Sequence, residues 1–219
     1  MDIWRITWFT VACAIAATLV VLPAGVLVAW LLARRHFPGR TLVETLVSLP
    51  LVMPPVATGL ILLMLLSRRG TIGRVLERLG IEVVFTWKAV VLAMAIMGLP
   101  LLVRTARAGF EQVNERYERV AATLGARPLR VFLTISLPLA WPSVLAGAIL
   151  AFARALGEFG ATIIVAGSIP GHSRTLAVGI YSYAETGQDA QALTLVLIAI
   201  AIAFVSLWLA NRLAERGTA

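Results

Sequence analysis

Residues 6–33 read ITWFTVACAIAATLVVLPAGVLVAWLLA, and no charged residue falls between Ile6 and Ala33. The run is 28 residues long, and an α-helix needs roughly 20 apolar residues to cross a bilayer. A signal peptide has a basic start and an apolar core of about 7–15 residues. Here the start is Met1-Asp2-Ile3-Trp4-Arg5 and the core is far longer. The run therefore reads as a retained first membrane span, with Trp4 and Trp8 as interfacial aromatics.

The rest of the chain agrees. Hydrophobic residues make up 60% of the 219, charged residues 14%, and the mean hydropathy is +0.91. A soluble domain is about 45–50% apolar and about 25% charged, so a solvated globular surface is excluded, and so is disorder. The net charge of +8 comes from 19 basic and 11 acidic residues. Eighteen of the basic residues are arginines spread between apolar runs, which fits membrane loops better than a nucleic-acid surface. One cysteine, Cys13, permits no intrachain disulfide.

Four further apolar runs follow, giving expected spans at about 6–33, 45–67, 86–105, 141–166 and 191–211 and a single all-α membrane domain over 1–219. The second run holds LPLVMPP, whose prolines free backbone carbonyls that need partners inside a bundle. The third is short, and Gly98 and Pro100 leave its far boundary open. Residues 72–79 form an amphipathic stretch. Arg34, Arg35, Arg40, the six arginines of 104–138, Arg212 and Arg216 make eleven on one face; the other has six, four of them in 68–78. The eleven-arginine face is expected to be cytoplasmic, with the N-terminus outside and the C-terminus inside.

The 104–138 segment is the longest polar stretch. Val113, Tyr117, Val120, Ala121 and Leu124 share one face of an amphipathic helix, and Glu115 and Arg119 are spaced to pair on its wet face. Gly125 suits the helix end, and Pro128 suits the first turn of a second helix running to Leu137 and stopped by Pro138. Two short helices packed under the membrane are expected.

Inside the fourth run lie Arg154 and Glu158, four apart and so on one helical face. A charge at membrane depth costs roughly 2.5–3.5 kcal/mol on insertion scales. The pair is either a structural lock between helices or a contact for a passing anion. Gly157 and Gly160 permit close helix approach or backbone access, close packing being the expected use. Several chemistries have no residues to carry them. No Gly-Lys-Ser/Thr phosphate loop exists, since Lys88 is the one lysine and follows Trp87. His36 and His172 have no ligand or triad neighbours, and no serine lies in a nucleophile elbow. No catalytic residue, metal or cofactor is expected.

Ala121-Ala122, Gly125, nine residues, then Ile135-Ser136-Leu137-Pro138 resembles the cytoplasmic signature of ABC importer permeases: Glu-Ala-Ala, three residues, Gly, nine residues, Ile-x-Leu-Pro. Aligned on Gly125, Arg119 stands at the glutamate position and Val120 at the next, with Glu118 one residue away. The resemblance implies a five-helix bundle with a coupling helix that sits on an ATPase subunit, engaging Arg119, Val120, Ala121, Ala122, Gly125, Ala126, Arg127, Pro128, Ile135, Leu137 and Pro138. The string ARALGEFGAT at 153–162, followed by Ser168-Ile169-Pro170-Gly171 and Ser173-Arg174-Thr175, resembles molybdate permeases; sulfate permeases carry a similar Gly-Glu-Phe/Tyr-Gly string. LPLVMPP looks like this group too, so the resemblance runs from about Arg34 to the end. It implies a non-catalytic permease subunit for molybdate, or alternatively tungstate, sulfate or thiosulfate, in the cytoplasmic membrane of a prokaryote. The expected partners are a second copy, two ATPase subunits, an extracytoplasmic oxyanion-binding protein and membrane lipid. The pathway or intramembrane group is Arg154, Gly157, Glu158, Gly160 and Thr162. A secondary anion transporter using Arg154 and Glu158 as a relay is the competing class, but it leaves the fixed-spacing loop unexplained.

Overall fold

The computed structural model describes residues 3–216; Met1, Asp2 and residues 217–219 lie outside it, as do the side chains of residues 214–216. All regular structure among the described residues is helical. Helix α1 (Ile3–Arg34) covers the opening run. Ile6, Thr10, Cys13, Ala14, Ala17, Val21, Gly25, Ala29 and Leu32 form its buried stripe. The second run is split into α2 (Arg40–Val52) and α3 (Pro55–Leu66), bent by 112°. Met53 and Pro54 are both extended (ψ 142° and 129°), since a residue before proline is driven from the helical region. The expectation of a span packed inside the bundle holds only for α3, because α2 buries none of its residues.

After the short α4 (Thr71–Arg78) comes α5 (Trp87–Gln112), which overruns the expected boundary near 105. Gly98 and Pro100 do not stop it; both are buried in the helix, and Gly98 lies against Ala151. Arg104 and Arg107 thus ride on α5, where Arg107 pairs with Glu44 at 2.6 Å and Glu111 at 2.7 Å. Then come α6 (Glu115–Thr123), α7 (Pro128–Val131), a π turn (Phe132–Ser136) and α8 (Leu137–Leu156). Pro138 was expected to end a helix. Instead Leu137 N–H bonds back to Phe132 O, and this wider turn carries the helix through the proline. The run 141–166 is broken: α8 stops at Leu156, and α9 (Gly160–Ala166) starts after a three-residue gap. A short helix absent from the sequence reading, α10 (Leu176–Glu185), precedes α11 (Asp189–Arg216), which continues past Asn211.

Four helical segments are long and apolar enough to cross a membrane, and five if the bent α2–α3 pair is one span. The core is the meeting of α1, α3, α5, α8 and α9. Helices α5 and α8 approach closely: a Cβ on Gly147 would lie 3.0 Å from Leu102 O. Leu32, Phe110, Val113 and Ala140 cluster at one end; Ile6, Leu176 and Leu195 cluster at the other. So α1, α5 and α11 run one way and α8 the other. The 34–40 link, the 113–136 segment and the end of α11 share one end of the bundle.

Candidate functional site

The 113–138 segment builds a surface at that shared end. Asn114 caps α6, its side chain accepting from Arg116 N–H at 2.9 Å. Glu115 and Glu118 lie in the first turn, where helix N-termini favour acids. The helix closes on Gly125, with φ 81°: Gly125 N–H bonds Ala122 O and Ala126 N–H bonds Ala121 O, each at 3.0 Å. This paired closure needs a left-handed residue, which glycine supplies without strain. Arg127 then stands at the N-cap position of α7 with no side-chain capping bond, and Pro128 occupies the first turn. The expected Glu115–Arg119 pair is present at 2.9 Å.

The orientation of α6 reverses the expectation. Its apolar face does not pack under the membrane: Tyr117, Val120 and Leu124 are exposed, Leu124 to 82%. Facing the body instead is Glu118, because α1 ends there on Arg34, whose side chain is only 7% exposed. A guanidinium so enclosed needs an anionic partner. The outward face borders a groove of about 770 Å³ lined by Tyr117, Val120, Ala121, Leu124, Ile135 and Pro138 among others. Both halves of the spaced motif, Ala121 and Ile135-x-x-Pro138, therefore meet in one groove. Arg119, Ala122, Ala126 and Pro128 line a second cavity of about 350 Å³ on the opposite side of α6. Leu137 is half-buried and packs at the Leu32 end of the core.

The second group lies where two helix breaks touch. Arg154 Nη1 is 2.8 Å from Glu158 Oε2, although Glu158 lies beyond the end of α8 rather than on one continuous helix. Glu158 is 1% exposed, and its Oε1 accepts from Ala161 N–H at 2.7 Å. It caps α9 while neutralising Arg154. Thr162 is fully buried, and its hydroxyl reaches Glu158 O at 3.0 Å and Phe159 O at 2.9 Å. Gly160 abuts the α2–α3 elbow: a Cβ there would lie 2.8 Å from Pro55 Cβ. A Cβ on Gly59 would lie 2.8 Å from Ala161 O. Close packing thus accounts for Gly160 but not Gly157, around which a Cβ would meet nothing within 4 Å. Gly157 is exposed and sits beside Arg154, which keeps 26% of its side-chain surface exposed. Thr58, next to Gly59, has a buried hydroxyl with no hydrogen-bond partner.

Residues 168–175 close on themselves. Ser173 Oγ donates to Ala166 O at 2.7 Å and accepts from Ile169 N–H at 3.2 Å; Arg174 Nε donates to Ser168 Oγ at 3.1 Å. Thr10 Oγ1 accepts from Leu176 N–H at 2.8 Å, tying the segment to α1. Arg34, Ser136 and Gly59 were given no role at these sites from the sequence; the first two meet Glu118 across 84 and 18 residues, distances no local pattern spans.

An all-helical bundle with four or five membrane-length segments and an amphipathic helix turned outward at one end is the architecture of a multi-span membrane protein. Residues 21–217 match the family described as binding-protein-dependent transport system inner membrane component, and the chain belongs to that family. It is a multi-pass inner-membrane protein. The molybdenum transport system permease protein ModB of Escherichia coli strain K12 is 44% identical over 219 residues, covering 97% of this chain and 96% of that protein. The sulfate transport system permease protein CysT of Salmonella typhimurium is 36% identical over 192 residues, covering 88% and 69%. Among solved structures, a bacterial alginate ABC transporter in complex with an alginate pentasaccharide-bound periplasmic protein superposes with a TM-score of 0.71 at 19% identity, covering 97% of this chain and 78% of that one. That likeness is one of fold.

Proposed function

We propose that this chain is the transmembrane subunit of an ATP-driven importer that moves molybdate across the cytoplasmic membrane by alternating access. Two copies form the pathway, two separate ATPase subunits hydrolyse ATP, and an extracytoplasmic protein delivers the anion. The N-terminus lies outside and the groove end faces the cytoplasm, following the eleven-to-six division of arginines. The observation that carries the reading is the groove beside α6, where the two halves of the spaced motif meet under an uncovered apolar face. Tyr117, Val120 and Leu124 at an aqueous end of a membrane protein call for a protein partner. A secondary transporter leaves that face without an occupant. The chain itself has no phosphate loop, so hydrolysis belongs to the partner.

Molybdate is favoured by 44% identity over almost the whole chain to a molybdenum permease, against 36% to a sulfate permease. Within the central group, Glu158 and Thr162 are buried, and Arg154, paired with Glu158 but with 26% of its side-chain surface exposed, is the cation a tetrahedral dianion would meet. The test is ATPase stimulation of the reconstituted complex by binding protein loaded with molybdate, tungstate or sulfate. Strongest stimulation by the molybdate form is expected. Stimulation by the sulfate form alone would transfer the chain to sulfate import, and no stimulation by any form would remove the importer reading.

A further inference from the structure

Four chain segments meet around the Arg34–Glu118 pair. Arg34 Nε, at the end of α1, donates to Glu118 Oε1 at 3.0 Å. Ser136 Oγ, the last residue of the π turn, donates to the same oxygen at 2.9 Å. Arg34 Nη2 donates to Val113 O, at the end of α5, at 2.6 Å. The Glu118 side chain is largely enclosed, and that of Arg34 almost wholly. Glu115 lies 3.8 Å from Arg34 Nη1 and is the outer, solvated member of the group.

Apolar packing does not do this job. No residue of α6 is buried, and the space between α6, α1 and the π turn is a cavity of about 350 Å³ rather than a filled contact. The short links at Val113–Asn114 and Leu124–Arg127 would let an otherwise unattached helix swing. Enclosed ion pairs contribute little net stability over apolar substitutes, and their best-attested value is in fixing one arrangement.

We infer that Glu118 is a positioning residue that gears α6 to α1 and α8, so that a displacement of α6 by the ATPase subunit moves the membrane helices instead of being lost in its links. In the sequence signature Arg119 stands where a glutamate is expected, and Glu118 is turned inward onto the chain's own arginine. The inference rests on the importer reading above.

The test uses the assembled complex with ATPase subunits and molybdate-loaded binding protein, measuring stimulated ATP hydrolysis and uptake in the same vesicles. Glu118→Gln keeps the shape and removes the charge. Uptake per ATP hydrolysed is expected to fall about tenfold, while ATPase co-purification and hydrolysis without binding protein stay within about twofold of wild type, with tenfold corresponding to about 1.4 kcal/mol of lost coupling. Arg34→Glu alone should uncouple likewise, and Arg34→Glu combined with Glu118→Arg should recover part of the ratio. Ser136→Ala, a milder change, should give an intermediate ratio. Wild-type ratios in Glu118→Gln and Ser136→Ala would overturn the inference. A parallel loss of co-purification and uptake would also overturn it, since the cluster would then only hold α6 folded. Absence of stimulated hydrolysis in the wild-type complex would remove the importer reading itself, and the gearing role with it.

Discussion

Replacing Gly125 with valine isolates a purely conformational cost. Gly125 sits at φ 81°, and a Cβ there would meet nothing within 4 Å. No clash contributes, so the penalty is that of holding an L-residue in the left-handed region, about 1–2 kcal/mol, with a β-branched side chain at the upper end. If valine leaves that region, the closing bonds from Gly125 N–H to Ala122 O and from Ala126 N–H to Ala121 O are lost together. The end of α6 then frays beside Val120 and Leu124, the exposed residues of the groove. A cost of about 2 kcal/mol lowers occupancy of the native closure about 30-fold. The affinity of the ATPase subunit for the detergent-solubilised permease should fall by up to that factor in Gly125→Val. It should fall less in Gly125→Ala and least in Gly125→Asn, because asparagine tolerates the left-handed region. Membrane yield, measured in parallel, should not change, since the position lies outside every span. Equal affinity for the valine and asparagine variants would refute the reasoning. A collapse of membrane yield with valine alone would assign Gly125 to folding rather than docking.

Three other outcomes follow from the geometry. Arg154→Ala leaves the 1%-exposed Glu158 with only the Ala161 N–H; it should destabilise the protein by about 3–5 kcal/mol. Adding Glu158→Gln, which removes the orphaned charge but keeps the acceptor, should restore thermal stability; a double variant as unstable as the single one would show that the charge is not the cause. Gly160→Ala should lower the thermal midpoint, because its Cβ would press on Pro55 and Val56 N, whereas Gly157→Ala, in open space, should not; a reversed order would contradict the packing. Arg116→Cys in a Cys13→Ala background should label from the cytoplasmic side of vesicles, and labelling from the outer side alone would invert the orientation proposed here.

The sequence made the long helices legible through uncharged length alone, as at 6–33, and it located the Gly125 closure and the Pro128 start because both depend on local backbone chemistry. It misplaced features set by tertiary contact. Amphipathicity identified Tyr117, Val120 and Leu124 as one face but not the side it faces; that was decided by Arg34, which lies 84 residues from Glu118. Pro138 looked like a stop because its missing N–H frees a carbonyl, and a π turn five residues long absorbed the defect. Arg154 and Glu158 were read as neighbours on one helix; they are neighbours across a break, because Glu158 closes the start of α9. Gly157 looked like a packing residue, yet its neighbourhood is empty. For the candidate site, the spaced motif located the groove, whereas the hold on its inner side was invisible.

The π turn that carries the chain through Pro138 has a mechanical consequence. Pro128 to Leu156 forms one continuous helical segment. At 1.5 Å per residue, its length from Leu129 to Arg154 is about 38 Å. A tilt of about 5° pivoting at Leu129 displaces Arg154 by about 3 Å on that lever, the width of one hydrogen bond, so a small rocking at the groove end is enough to make or break a contact at the far break where α8 meets α9.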